Sequence, residues 1–464
     1  MRLNMLRTDD TIVALATAPL PAGLAVIRLS GPLAWPAAET VTRSLANVSP
    51  KQVVIRDFSH QGEVIDNGLV VGFRAPRSFT GEDVVELQTH GSLAVVHKLL
   101  EVLTQVEGVR QAGPGEFTRR AVMNGKMDIT AAEGLADLIA ATTAAQRRQA
   151  LRQLDGALGE RFEHWRSRIM ACLAQVEAAI DFPDEELEVL AAPQLAADIR
   201  AVMDDLQKAV GERAGERVRE GLRLAIIGKP NAGKSTLINL LSGREVAIVS
   251  DIAGTTRDVV TSALDIGGYP VTLADTAGMR VTDEVIEAEG VRRAFAQAES
   301  ADVVVWVIDA REGGLWDDGV TGLGKRAPSL IVMSHADLVE EDFPEVLEWD
   351  GEAVPVIAAD LRDGTALPRL LQALEKIVCE VAGAASEAAL LTRQRHREAV
   401  SEALAQLGRA LQQIGRAQSS EESGLAELAA EDLRTAAASI GKVTGRVSSE
   451  DVLDVVFSTF CIGK

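Results

Sequence analysis

Apolar positions change their period twice along this chain. In residues 1–125 short β-branched runs at 52–55, 69–73 and 84–87 alternate with Gly/Pro turns and one helical stretch, 93–106. Residues 11–27 open a strand–turn–strand, with 24–29 as the second strand. That mixture predicts a compact α+β domain. From about residue 130 the spacing becomes three and four. Leu151, Leu154, Leu158, Phe162, Trp165, Ile169, Cys172, Val176 and Ile180 form one helical stripe, weakened only at Gly156 and ended by Asp181-Phe182-Pro183-Asp184. A second stripe runs through Leu195, Ile199, Val202, Leu206 and Val210, and a third through Val400, Leu404, Leu407, Leu411 and Ile414.

Between those helical blocks, residues 219–380 alternate buried-type strands (222–227, 271–274, 303–308, 330–333 and 354–357) with loops and helices. This order predicts a doubly wound sheet. The expected organisation is an N-terminal α+β domain (1–125), an all-α domain in two parts (126–218 and 381–464), and an α/β domain (219–380) inserted between them. The two helical parts are expected to pack together, because an unpartnered stripe exposes apolar surface.

Apolar residues make up 47% of the chain, enough for a sizeable core and too many for long-range disorder. The net charge of −21 excludes a general nucleic-acid coat protein. It leaves room for local basic patches, and Arg147, Arg148 and Arg152, with Arg393, Arg395 and Arg397, are two candidates. Phosphate contacts and ion pairs on the helix surface are equally open readings for them. Three cysteines, Cys172, Cys379 and Cys461, cannot build a disulfide framework and suit a reducing compartment. Asp9, Asp10, Pro19 and Pro21 spoil a signal-peptide reading of the first residues. No apolar run approaches the ~20 residues of a membrane span. A cytoplasmic protein with no membrane partner is expected.

Gly228-Lys229-Pro230-Asn231-Ala232-Gly233-Lys234-Ser235 fits the phosphate-loop pattern in full, after a predicted strand and before a helix that opens at Thr236. Backbone N–H groups of Asn231, Ala232 and Gly233 wrap phosphates in such a loop. Lys234 reaches the β- and γ-phosphates, and Ser235 ligates Mg²⁺. Asp275, at a strand end, suits the Mg²⁺ shell, and the Gly278 N–H suits the γ-phosphate. Gly254-Thr255-Thr256 is a loop able to close on both. This order resembles the translation-factor-like GTPases of the Ras type, a resemblance that makes Thr256 the second Mg²⁺ ligand. The usual Asn-Lys-x-Asp base reader here is Ser334-His335-Ala336-Asp337, and the Ser-Ala-Lys loop is Ala358-Ala359-Asp360. Asp337 accepts from guanine N1–H and N2–H₂, a pair that adenine lacks, and the Ala359 N–H supports the base. Ser334 is expected to be too short to contact both the base and the phosphate loop. The ring of His335 is expected to stack on the base.

Further motifs narrow the resemblance. They are Asp10-Thr11-Ile12-Val13-Ala14, Phe79-Thr80-Gly81-Glu82-Asp83-Val84-Val85-Glu86-Leu87, Pro114-Gly115-Glu116-Phe117-Thr118-Arg119-Arg120-Ala121, Asn124-Gly125-Lys126-Met127-Asp128 and Phe460-Cys461-Ile462-Gly463-Lys464. With a GTPase block interrupting a helical domain, the whole chain resembles the MnmE/TrmE family of tRNA modification GTPases. The resemblance implies a dimer through the N-terminal domain, within a heterotetramer or larger complex. It implies an MnmG/GidA-type partner using FAD and NADH, with which a carboxymethylaminomethyl or aminomethyl group is added to carbon five of a tRNA wobble uridine. The one-carbon donor is then a tetrahydrofolate derivative, in the 5-formyl or methylene form, held at Arg28, Glu86, Lys126 and Lys464. K⁺ is implied at Asn231, Ser250, Ile252 and Thr255, with Ser250 and Thr255 also lining the nucleotide. Glu287 is implied as the residue that orients the attacking water, and Cys461 is implied in the modification step. A ribosome-assembly GTPase with RNA-binding accessory domains would share the nucleotide motifs, but it would not explain the Cys461 segment.

Overall fold

A computed structural model describes residues 10–181, 193–243, 263–273, 298–312, 327–340, 342–383, 391–417, 424–446, 457, 460 and 463. They fall into two compact units. One comprises Met1–Ala136, Leu154–Ala174 and Leu433–Lys464; the other comprises Asp137–Gln153 and Gln175–Asp432. Among the described residues no helix is long and apolar enough to cross a membrane.

The first unit is built on a six-stranded sheet of β1 (Thr11–Leu15), β2 (Ala22–Ser30), β3 (Val53–His60), β4 (Glu63–Phe73), β5 (Val84–Gly91) and β6 (Val109–Gln111), in the order β3-β4-β5-β2-β1-β6. Only β1 and β6 pair in parallel. Helices α1 (Ala34–Thr42) and α2 (Leu93–Thr104) close over one face. Strand alternation sorts the side chains. Ala25, Ile27 and Leu29 point into the core with Phe58, Leu87, Leu99 and Leu103, all fully buried. Each such large side chain contributes about 1.5–3 kcal/mol on burial. Arg28, one residue out of phase, falls on the opposite face. There Ile12, Ala14, Ala112 and Phe117 make a smaller cluster against Phe79.

Helix α3 (Glu116–Met123) is fixed to that opposite face by charge. The Arg120 guanidinium donates to Asp10 (2.5 Å), Glu82 (3.2 Å) and Glu116 (3.3 Å), and Arg110 forks onto Glu116 (2.6 and 2.8 Å). Ser30 bridges Thr80 and Glu82. Burial alone would raise the Glu116 pKa, but Arg110, the Gly113 N–H and Arg120 together hold it below the usual carboxylate range. The Glu82 and Glu116–Arg120 motifs are thus physically one assembly. Helix α4 (Ile129–Ala140) follows, with Phe457 and Phe460 packed on its Ala132.

The long stripe from Leu151 to Ile180 is not one helix. Helix α5 (Ala144–Leu154) ends and α6 (Ala157–Asp181) begins on either side of Gly156, whose φ is +95°. A side chain resists that left-handed backbone, so glycine makes the break. Leu158, Phe162, Trp165, Ile169, Cys172 and Val176 stay buried along α6, while Leu151 is 41% exposed.

In the second unit α7 (Pro193–Gly211) packs on α11 (Gln394–Ala417), a helix far along the chain. The two faces meet at Leu195, Ile199, Val202 and Leu206 from one helix and Val400, Ala403, Leu407 and Ile414 from the other. After α8 (Ala214–Glu220) come β7 (Leu222–Ile227), α9 (Lys234–Leu241), β8 (Ala263–Ile266), β9 (Tyr269–Leu273), β10 (Val303–Asp309), β11 (Leu330–Ser334), β12 (Val346–Trp349), β13 (Glu352–Ala359) and α10 (Leu367–Val381). The sheet order is β12-β13-β11-β10-β7-β9-β8. Its central strands are parallel, as the buried runs predict. Two antiparallel edge strands, β8 and β12, were not expected. Helix α5 is tied to the β8–β9 turn through the Ala145 N–H and the Gly268 carbonyl, 2.9 Å apart. α12 (Leu425–Thr444) is the last helix described in full.

Candidate nucleotide-binding site

Strand β7 lies inside the sheet, between β10 and β9, and delivers Gly228 at its carboxyl end, where doubly wound folds bind ligands. A Cβ on Gly228 would collide with the Val307 carbonyl oxygen of β10, so the loop leaves the strand only as glycine. Asn231 (φ +64°) and Gly233 (φ +93°) then turn the backbone, and Gly233 opens α9. The first N–H groups of that helix have no partner within it and face the loop. The Lys234 ammonium lies across the loop, donating to the carbonyls of Gly228 (2.8 Å) and Lys229 (2.6 Å). Burial lowers its pKa. Ser235 is exposed beside it, and Thr236 is half-buried.

The neighbouring parallel strands end in register at Asp309, Ser334 and Ala359. Ser334 is buried, and its Oγ lies 2.7 Å from the Ala232 carbonyl, 3.2 Å from that of Ile308 and 3.3 Å from His335 Nδ1. Its single proton goes to the shortest acceptor, which is on the phosphate loop. The tie between base loop and phosphate loop therefore survives in a hydroxyl: Ser334 ends β11 and reaches past the end of β10, where it also meets the Ile308 carbonyl, to Ala232. His335 takes a left-handed backbone (φ +54°), and its Nδ1 lies 3.3 Å from Asp309 Oδ2. Asp309 also accepts from Arg311 Nη2 (2.6 Å) and Nε (3.0 Å). Those hydrogen bonds from Arg311 pull its carboxyl down to about 2.

Asp337 stands on a short 3₁₀ turn. Its Oδ2 accepts from Arg362 Nη2 at 2.8 Å. Arg362 is in turn clamped by Asp360 through Nε (3.0 Å), Nη2 (3.2 Å) and its own backbone N–H (2.9 Å). Sequence reasoning missed Asp309, Arg311 and Arg362. The available signal for Arg362 was an acid at 360, where the usual loop has lysine, followed two residues later by arginine.

In the first unit Arg28 Nε lies 2.8 Å from Glu86 Oε1, across a register pair of β2 and β5. Its guanidinium sits 5.8 and 5.7 Å from the ring centres of Phe79 and Phe117. Lys126 Nζ donates to the Pro76 carbonyl (2.9 Å), and Asn124 donates to that of Thr80 (2.7 Å). The 76–82 loop thus borders Arg28 through Phe79 and Lys126 through Pro76. A Cβ on Gly463 would strike the Leu15 carbonyl oxygen, so that residue lies against the end of β1. Ser250, Ile252, Thr255, Thr256, Asp275, Gly278, Glu287, Cys461 and Lys464 lie outside the described residues.

The second basic cluster resolves toward ion pairs. Arg393 and Arg219 both hold Asp137 (2.7 and 3.2 Å). Arg397 pairs with Glu216 (3.0 Å) and donates to the Val210 carbonyl. Arg393 and Arg397 are spent on internal bonding, which leaves them poor phosphate ligands. Arg147, Arg148 and Arg152 are exposed on α5.

Residues 11–126 match the family model described as the GTP-binding protein TrmE N-terminus, and residues 129–461 match the MnmE helical domain. A relative from Parvibaculum lavamentivorans, named tRNA modification GTPase MnmE, is 47% identical over 98% of this chain and 100% of its own length. Relatives of the same name from Rhodospirillum rubrum and Caulobacter vibrioides are each 46% identical over 98% of this chain and 100% of their own. With both models matched and relatives aligned along nearly its whole length, the chain belongs to the MnmE family.

Proposed function

We propose that this chain is a GTP-hydrolysing tRNA modification enzyme. With an MnmG/GidA-type partner that uses FAD and NADH, it modifies carbon five of the wobble uridine with a carboxymethylaminomethyl or aminomethyl group. The observation that carries the GTP half is the Ser334–Ala232 hydrogen bond, which joins a phosphate loop to a loop bearing the guanine-type acceptor Asp337. The tRNA half rests on the relatives' shared name over their full length.

The exposed Ser235 hydroxyl, at the first turn of α9, is the donor type that Mg²⁺ takes, and Thr256 would complete the pair. The exposed Asn231 amide suits K⁺, with Ser250, Ile252 and Thr255. A cation there supplies positive charge to phosphoryl transfer. Lys234 leaves its loop carbonyls to meet the β- and γ-phosphates. Glu287 orients water. Arg28, with Glu86 and Lys126, offers both charge signs beside two aromatic rings, which suits a tetrahydrofolate with its acidic tail; Lys464 would add a further cation. The proposed arrangement is a folate-binding, dimerising domain at 1–125 and a helical domain at 126–218 and 381–464, with the GTPase domain of 219–380 inserted in it. Cys461 belongs to the modification step.

The decisive measurement is nucleoside mass spectrometry of tRNA from a deletion strain carrying this chain. Return of the modified wobble uridine is expected. Unchanged tRNA alongside defective ribosomal subunits would sink the proposal in favour of ribosome assembly.

A further inference from the structure

The base-reading loop carries one acid more than its motif calls for, and the structure shows what has been set against it. Asp360 stands where the usual loop has a lysine, close enough to Asp337 for one guanidinium to bind both. Two unpaired carboxylates there would repel each other, and the reading carboxylate would turn freely on an exposed loop. Arg362 prevents both. Its Nε, Nη2 and backbone N–H are held by Asp360, so the fork has a fixed direction. The same Nη2 reaches Asp337 Oδ2 at 2.8 Å. A carboxylate oxygen accepts more than one hydrogen bond, so this contact leaves acceptor capacity on both oxygens of Asp337 for guanine N1–H and N2–H₂.

We propose that Arg362 is a positioning residue for guanine recognition: clamped by Asp360, it orients the Asp337 carboxylate toward the base. The proposal rests on the guanine-nucleotide reading above and deepens it. Asp360 and Arg362 then act as a pair that replaces the missing lysine, and guanine preference in this chain depends on a residue outside the usual motifs.

Titration calorimetry of the full-length protein with GDP, inosine diphosphate and ADP tests it. Inosine diphosphate keeps N1–H and lacks the N2 amino group. Arg362→Ala is expected to weaken GDP about three- to tenfold, the scale of one lost orienting hydrogen bond. The GDP-to-inosine-diphosphate ratio should narrow, while kcat at saturating GTP stays unchanged. Arg362→Lys should recover part of the loss. In an Asp337→Ala background Arg362→Ala should have no further effect, because the arginine acts only through that carboxylate. Equal weakening of GDP and inosine diphosphate, or the same loss with and without Asp337, would overturn the proposal and leave Arg362 a surface ion pair. A thermal melt matched to the unsubstituted protein guards against misfolding, and Arg362→Lys provides the second variant. If the unsubstituted protein binds ADP as tightly as GDP, the guanine reading falls, and the proposal with it.

Discussion

The phosphate loop and the base-reading loop sit at the ends of two parallel strands, β7 and β11, on either side of β10, yet they rest on different chemistry. In the first, the working groups are mostly backbone N–H groups, and the residues matter for the path they permit. Gly228 is demanded by the Val307 carbonyl, and Gly233 by its left-handed turn. In the second, the working groups are side chains. There Ser334 replaces an asparagine, His335 a lysine, and Asp360 with Arg362 another lysine. A backbone cradle has few chemical solutions, so its pattern stays intact. A side-chain site has many, provided each new group finds a partner, and here each does.

The largest expected effect lies on the phosphate side. Lys234→Ala should lower kcat/KM for GTP by about 100-fold or more, because it removes a charge aimed at the transferring phosphoryl group. Steady-state hydrolysis measures this, and a change under tenfold would mean that the loop does not hold phosphates as drawn. On the base side the expected effects are smaller. Ser334→Ala cuts the tie to Ala232, worth roughly 0.5–1.5 kcal/mol, or several-fold to tenfold in GDP affinity. Ser334→Asn with His335→Lys should bind GDP more tightly than the unsubstituted chain. If neither changes the Kd in calorimetry, the two loops work independently.

The smallest effect is on acid stability. The Asp309 carboxyl is drawn from 3.8 to about 2 by Arg311. A carboxylate with a lowered folded-state pKa stabilises the fold above its unfolded value, and that contribution fades as the pH falls from about 4 toward 2. Asp309→Asn should therefore flatten the acid limb of stability in that window and change little at pH 7 beyond a constant offset. Parallel acid limbs in denaturant melts would contradict the ion pair.

Much of this architecture was legible in sequence because buried parallel strands read as apolar runs and the phosphate loop as fixed glycines. The misses have physical causes. Gly156 costs a helix only about 1 kcal/mol, so the periodic stripe carried the eye across a real break. Strands β8 and β12 are short and partly exposed, without a run to betray them. Arg362 and Asp309 owe their roles to which side chains meet at the strand ends, and spacing does not encode that. For Arg393 and Arg397, charge alone left two readings, and only the position of Asp137 and Glu216 separates them.

The cluster of Arg120, Asp10, Glu82, Glu116 and Arg110 has a consequence for how this protein can vary. Each of its members is bonded to at least one of the others, and Arg120 and Glu116 are almost wholly enclosed. Replacing Arg120 leaves Asp10, Glu82 and Glu116 to share Arg110 in a largely enclosed site, at a cost of several kcal/mol. A second replacement made at the same time can be nearly free. Single steps through this part of sequence space are therefore blocked while double steps stay open. The first unit is a place where mutational effects will not add, and where a scan of single substitutions will overstate how unchangeable the residues are.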